Sequence, residues 1–566
     1  MHMGRPASRG GLNELLRCLV LVALLTVIRA AFAEAGTPEN QVFQFMHSGV
    51  CTGWSDGSSN KATAYLWIPE RCQRVRGLLI LCANVPEHRL VGHPAIRDVC
   101  AANDLGIVWS VPSFMNFRKD KERGTDMARE HKTTVAFLQQ LLDGLAKTSG
   151  YREVAVVPWL PMGESGHLLM VDALLEHAPD RCIAGVFIKN NHLPPKNRSV
   201  PVLVAYGTAQ EWAQDKTDIR TNWNHVGKAY EGILKQRQAS PSWPLSYLIE
   251  GHSGHFDCSE RLTQYFARYI GLVARARLAS DGSTTLKPAA MEKGFLADMP
   301  VPGRERGMPI AFTNAAAAAR GLPWFFDEQS AAEAQAFAAI NWQAETQLPA
   351  FADEAGKILP FNFNGIASLT PAMESDGITF TLRSVILDAL PENFVGAGQK
   401  LGRAPGAPSL EWLCGPFVPL GAGKFRLSLD RSWPSSASYV AARQTGTASI
   451  RGSVQPCAVK LVKNTAGAAQ KITFDPIADV TNGTASLRLS ATSDAGLPVR
   501  FFVRAGPAKI VGEELVFTPV PPSSKFPVTV TIAAWQWGRA TATPVQTAVV
   551  EREILIRSAS HSPDAK

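Results

Sequence analysis

The spacing of apolar residues changes along this chain, and with it the elements the chain can form. Between residues 41 and 275, compact apolar runs alternate with stretches of helical period. Ala62–Ile68, Leu78–Cys82, Ile107–Ser110, Val154–Val157, Ala184–Ile188, Val202–Tyr206 and Leu245–Ile249 read as strands. Ile96–Leu105, Glu130–Lys147, the segment after Ser165, Asn222–Lys235 and Glu260–Ala274 read as helices, and Val135, Leu138, Leu142 and Leu145 give one of them an apolar face. Strands that are apolar at nearly every position are buried on both faces, and the alternation supplies the helices that bury them. The expected fold class is α/β: a mostly parallel sheet with helices on both faces.

The pattern then breaks. Residues 276–358 begin rich in Gly and Pro, become Ala-rich, and read as a linker with a helix over Gln329–Trp342. From about residue 359 the period falls to two, as in Gly377–Arg383, Lys424–Leu429 and Ser449–Arg451, and residues 359–465 read as a β-rich domain. Residues 466–556 alternate strongly at Thr484–Ser490, Val499–Val503 and Val528–Ile532, with turn signals at Asn482-Gly483 and Asp494-Ala-Gly496, which predicts a β-sandwich. Residues 557–566 read as a disordered tail.

Composition adds limits. With 46% hydrophobic residues over 566 positions, the chain has the apolar content of a packed protein. A net charge of +8 that is spread out does not ask for a nucleic-acid partner. Residues 1–33 place Arg5, Arg9 and Arg17 before an apolar run from Cys18 to Ile28, then end in Ala31-Phe-Ala33, the order of a secretory signal. Its removal takes away four Arg and one Glu, so the mature charge falls from +8 to +5. The expectation is an exported protein without a membrane span after cleavage. Eight cysteines then remain, an even number that permits disulfides, with Cys51–Cys72 and Cys414–Cys457 as the local pairings. No Cys-x-x-Cys and no His-Glu-x-x-His occurs, so neither a metal nor a cofactor is expected.

The chemistry concentrates after the strand placed at Val154–Val157, where the chain reads Pro158-Trp-Leu-Pro-Met-Gly163-Glu-Ser165-Gly-His167. A serine between strand and helix, flanked by small residues, is lifted out at the carboxyl end of the sheet. The helix amino end behind it turns the amide of Gly166 toward a developing oxyanion. This stretch resembles the Gly-x-Ser-x-Gly turn of the α/β-hydrolase superfamily. Gly163 and Ser165 match, and His167 stands where the last small residue belongs. The resemblance implies an acid and a histidine downstream, in that order. Val202–Gly207 is followed by Glu211, the favoured acid, with Asp215 in reserve. Leu248-Ile-Glu-Gly251-His-Ser-Gly254-His255-Phe resembles the family's histidine loop, which makes His255 the base and His252 the reserve. A second oxyanion donor is expected from the backbone of Asn84 or Val85, after the strand at Leu78–Cys82.

The function expected from this resemblance is an exported serine hydrolase, most simply a carboxylic-ester hydrolase, with an ester or an acylated polysaccharide as substrate. Residues 471–556, with Lys471–Val480, Leu497-Pro-Val-Arg-Phe501 and Gly506-Pro-Ala508, resemble bacterial immunoglobulin-like modules. They support the other expectation, a surface or binding protein that keeps a hydrolase fold without its activity. Trp159, Trp212 and Trp223 are read as packing residues before they are read as a sugar-facing wall. The Lys119–Arg123 cluster is read as a solvated loop.

Overall fold

The computed structural model describes residues 41–116, 127–189, 197–208, 223–301, 306–361, 366–392, 394–434, 437–540 and 543–559. The signal segment 1–33, the Lys119–Arg123 cluster, Glu211, Trp212 and Asp215 lie outside the described residues.

The head is built on a sheet of eight strands: β1 (Phe45–Cys51), β2 (Asn60–Trp67), β3 (Gly77–Cys82), β4 (Leu105–Val111), β5 (Trp159–Glu164), β6 (Gly185–Ile188), β7 (Val202–Gly207) and β8 (Leu245–Glu250). Their order across the sheet is β1-β2-β4-β3-β5-β6-β7-β8. Only β2 runs against its neighbours, so β3 to β8 are parallel. Every residue of β3, β4, β5, β6, β7 and β8 is buried, as parallel strands between two helical layers must be. The helices are α1 (Val85–Leu90), α2 (Pro94–Ala102), α3 (Met127–Ser149), α4 (Leu168–His177), α5 (Trp223–Ala239) and α6 (Glu260–Arg277). α3 packs on α4 and α2 on α6. This is the expected α/β-hydrolase-like architecture.

One strand differs from its expectation. Val154–Val157 is not a strand: Arg152–Ala155 form a 3-10 turn, and Val156 is exposed. β5 starts beyond Pro158 and runs directly into the serine. It carries Pro161, which lacks the amide that a central strand uses on one side. The chain places that residue where pairing passes from β3, at residues 159–161, to β6, at residues 162–164.

Residues 276–358 do more than connect. Phe295–Leu296, Ile310–Ala311 and Trp324–Phe325 form a small antiparallel sheet, and α7 (Glu328–Phe337) packs on β8. Ala331, Ala334 and Phe337 join the core of the head. The rest of the chain is strands in small, largely antiparallel sheets. One has the order Ala367–Leu369, Ser453–Val459, Tyr439–Gln444, Ser409–Cys414; another has Val480–Thr481, Ala548–Arg557, Val528–Gln536, Arg500–Ala505. The stretch at Ser449–Arg451 forms only an isolated bridge, Ile450 with Glu345, and the strand begins at Ser453. The last sheets share one continuous core with the head, through Phe43, Val503, Val530 and Ile532. A second core gathers Phe351, Phe380, Phe417, Phe425 and Val440 with Trp535. Among the described residues, no helix is long and apolar enough to cross a membrane.

The two expected disulfides are not formed; Cys51, Cys72, Cys414 and Cys457 are free and buried. Register explains both. Cys51 pairs with Asn60 at the start of β2, whereas Cys72 lies beyond the other end of that strand, Trp67. Cys414 pairs with Tyr439 and Cys457 with Val440, so a whole strand separates them. Two strand spacings are about 9.6 Å, past the reach of a disulfide.

Candidate active site

The carboxyl ends of β3, β5, β6, β7 and β8 lie along one edge of the sheet, and the predicted chemistry gathers there. Ser165 follows β5 with φ 51°, the left-handed region that costs a non-glycine residue about 1–3 kcal/mol. Gly163 makes that turn possible: a Cβ there would stand 2.4 Å from the carbonyl oxygen of His167. The tight contact thus falls on Gly163, and the position of His167 needs no small residue. The His167 side chain is buried instead, with Nδ1 3.6 Å from Glu87 Oε1.

His255 arrives from the loop after β8. Its Nε2 is 2.8 Å from Ser165 Oγ, a hydrogen bond between a buried imidazole and a half-buried hydroxyl. The same nitrogen is 3.4 Å from Glu164 Oε1, a carboxylate with no exposed surface. Asn84, the residue after the loop from β3, donates from Nδ2 to the Glu164 carbonyl at 3.2 Å and also to its carboxylate. Glu87 Oε1 accepts the Glu164 amide at 2.7 Å.

The histidine loop is held by a buried chain of charges. Lys189, at the end of β6, donates Nζ to Glu250 Oε2 at 2.6 Å and to Ser253 Oγ at 2.7 Å. Ser253 Oγ donates to Asp257 Oδ2 at 3.0 Å, and Arg443 Nη2 donates to Asp257 Oδ1 at 2.6 Å. Arg443 belongs to the 439–444 strand and also bonds Glu411 at 3.1 Å. Burial opposes its charge, but Asp257 and Glu411 hold the guanidinium protonated, above its ordinary value.

The β-rich part of the chain therefore packs on the histidine loop and on α1. Tyr439 packs on Phe256, ring centres 4.9 Å apart. Its phenol is pushed up to about 12, first by burial and then by the nearby Cys414 thiol and Glu164 carboxylate. Val85 of α1 shares a small core with Leu413, Cys414, Ala441 and Val454. Asp430 meets His88 of α1 at 3.1 Å. Burial would raise the Asp430 carboxyl, but His88 and Ser432 outweigh it and hold it below the usual range.

Ser165, Gly166, Asn84, Val85 and His255 thus come together. His252 does not join them: its φ is 60°, and its Nδ1 faces the carbonyl of Gly452 at 3.1 Å. Burial, then Arg451, lowers its basicity. Trp159 is 1% exposed beneath the Arg181 guanidinium, at 3.8 Å, and lines no open wall. Sequence reasoning missed Glu164, Asp257 and Arg443. Glu164 adjoins the serine in the motif and was within reach of inspection. Arg443 is 186 positions from Asp257 and carried no local signal.

No protein-family model matches this chain, and no curated protein matches it. Among solved structures it is similar to poly(aspartic acid) hydrolase-1 from Sphingomonas sp. KT-1, at 13% identity and TM-score 0.28, over 40% of this chain and 99% of that one. It is also similar to the esterase domain of a Rhodothermus marinus protein, at 13% identity and TM-score 0.24, over 41% of this chain and 98% of that one. LpqC, a poly(3-hydroxybutyrate) depolymerase from Bordetella parapertussis, matches at 13% identity and TM-score 0.26, over 42% of this chain and 92% of that one. Values this low carry no functional argument. The hydrolase-like architecture rests on the strand order and the turn geometry of the head itself.

Proposed function

We propose that this protein is an exported serine hydrolase that cleaves carboxylic esters. The observation that carries the reading is the left-handed turn after β5, which sets Ser165 Oγ 2.8 Å from His255 Nε2. In this reading His255 takes the hydroxyl proton as Ser165 attacks the ester carbonyl. The oxyanion is held by the amide of Gly166 with that of Asn84 or Val85. His255 returns the proton to the leaving alcohol, and water releases the acyl group by the reverse path. Glu211 is assigned as the orienting acid, with Asp215 in reserve. Glu164 lies beside His255 Nε2 on the serine side, at 3.4 Å. An acylated polysaccharide is the substrate favoured for an exported chain with β-structure attached.

A fluorophosphonate probe tests the nucleophile. Wild type is expected to label at Ser165 and Ser165→Ala to remain unlabelled; a folded wild type that does not label would leave the β-structure as the functional part. On a short-chain aryl ester, His255→Ala is expected to lower kcat/KM by about 10⁴-fold, and Glu211→Ala by less. Export predicts a mature start at Glu34, read by intact mass of secreted protein.

A further inference from the structure

At the opposite end of α4 from Ser165, two imidazoles and a carboxylate meet that none of the chemistry above uses. His131 lies near the start of α3, and Glu176 and His177 end α4. His131 Nδ1 is 3.2 Å from Glu176 Oε2. The His131 and His177 rings stand 5.8 Å apart at 73°. One ligand atom from each of the three residues lies within 4.8 Å of the others. All three side chains are half-buried, and His131 Nε2 is buried with no hydrogen-bond partner.

We propose that His131, Glu176 and His177 bind a divalent cation of the zinc class and so fasten α3 to α4. Two imidazole nitrogens and one carboxylate oxygen are a donor set that zinc takes, with a water in the fourth position. Bonds of about 2.0–2.1 Å place tetrahedral ligand atoms about 3.4 Å apart. The His131–Glu176 pair already stands at 3.2 Å. One ligand atom of each residue lies within 4.8 Å of the others, so the set has to tighten by up to about 1.4 Å to reach that spacing. Calcium and magnesium prefer oxygen ligands, so two nitrogens turn the site away from them. The ten residues of α4 span about 15 Å between this cluster and the serine turn. The site is therefore remote from the serine and stands or falls independently of the ester chemistry.

The test is zinc titration of the untagged, chelator-stripped full chain by calorimetry, beside thermal melting. One zinc per chain and a raised melting temperature are expected for wild type. His131→Ala and His177→Ala are expected to lower affinity at least 100-fold, and Glu176→Gln at least 10-fold. At a fixed zinc concentration each variant should gain less melting temperature than wild type, relative to its own stripped form. Wild type that takes up no zinc overturns the proposal, whatever the variants do. Uptake that persists unchanged in Glu176→Gln and the histidine variants also overturns it.

Discussion

Two of the charged pairs in this chain differ sharply in how much water they see. Where the 409–459 strands meet the histidine loop, Arg443 grips Asp257, which is 1% exposed. In the last sheets, Arg488 and Glu513 pair at 2.9 Å with 80% and 67% of their side-chain surface exposed. The distances are alike and the consequences are not. In water the attraction is screened and is offset by the entropy of holding two long side chains. In the interior, a charge that loses its partner cannot be rehydrated. One region is fastened so that removing a single group exposes a liability, while the other tolerates loss. The fastened region is the one that carries His255.

Arg443→Ala strains this contrast most. It leaves Asp257 buried with Ser253 as its remaining bonded partner, and unfolding in urea is expected to show a loss of about 3 kcal/mol. That is the low end for a broken buried pair, because Arg443 is itself 25% exposed. Adding Asp257→Asn should recover part of the loss. Equal losses in the single and double variants would show that the pair is not coupled. Ester hydrolysis should fall with Arg443→Ala, because Asp257 stands two positions after His255.

Asp430→Asn is expected to cost about 1–2 kcal/mol at neutral pH, through the contact with His88. Its sign with pH is fixed. The carboxyl is held below its unfolded value, so its stabilisation is complete above the ordinary carboxylate range, near pH 4. It is lost as pH falls through the lowered value. Acid unfolding followed by tryptophan fluorescence should be shallower in Asp430→Asn than in wild type; identical profiles would remove this pair from the account. Arg488→Ala is the smallest effect, within about 0.5 kcal/mol of wild type. A loss comparable to that of Arg443→Ala would erase the distinction between the two regions.

Much of the head was legible because its signals are local. β3, β7 and β8 are short runs of apolar residues, and burial on both faces demands that composition. The turn at Gly163-Glu-Ser165 was legible because a sharp strand-to-helix turn needs a glycine where the backbone nearly touches itself. The start of β5 was not legible. Val154–Val157 has the composition of a strand, but the apolar run folds into a turn, and the strand forms over a segment that includes a proline. The cysteine count was even and invited pairing. Strand register then placed Cys414 and Cys457 on opposite sides of the same strand.

The sequence by itself determined the alternation of strand and helix, the serine turn and the histidine loop, because each follows from neighbours along the chain and the steric rules of the backbone. Only the tertiary structure decided that residues read as an attached tail supply Arg443, Asp430 and Tyr439 to the edge of the sheet where Ser165 and His255 meet. Those contacts join residues 186 positions apart for Arg443 and Asp257 and 342 apart for Asp430 and His88. Their charges are compensated only once burial has brought them together, and no local pattern encodes such a pairing.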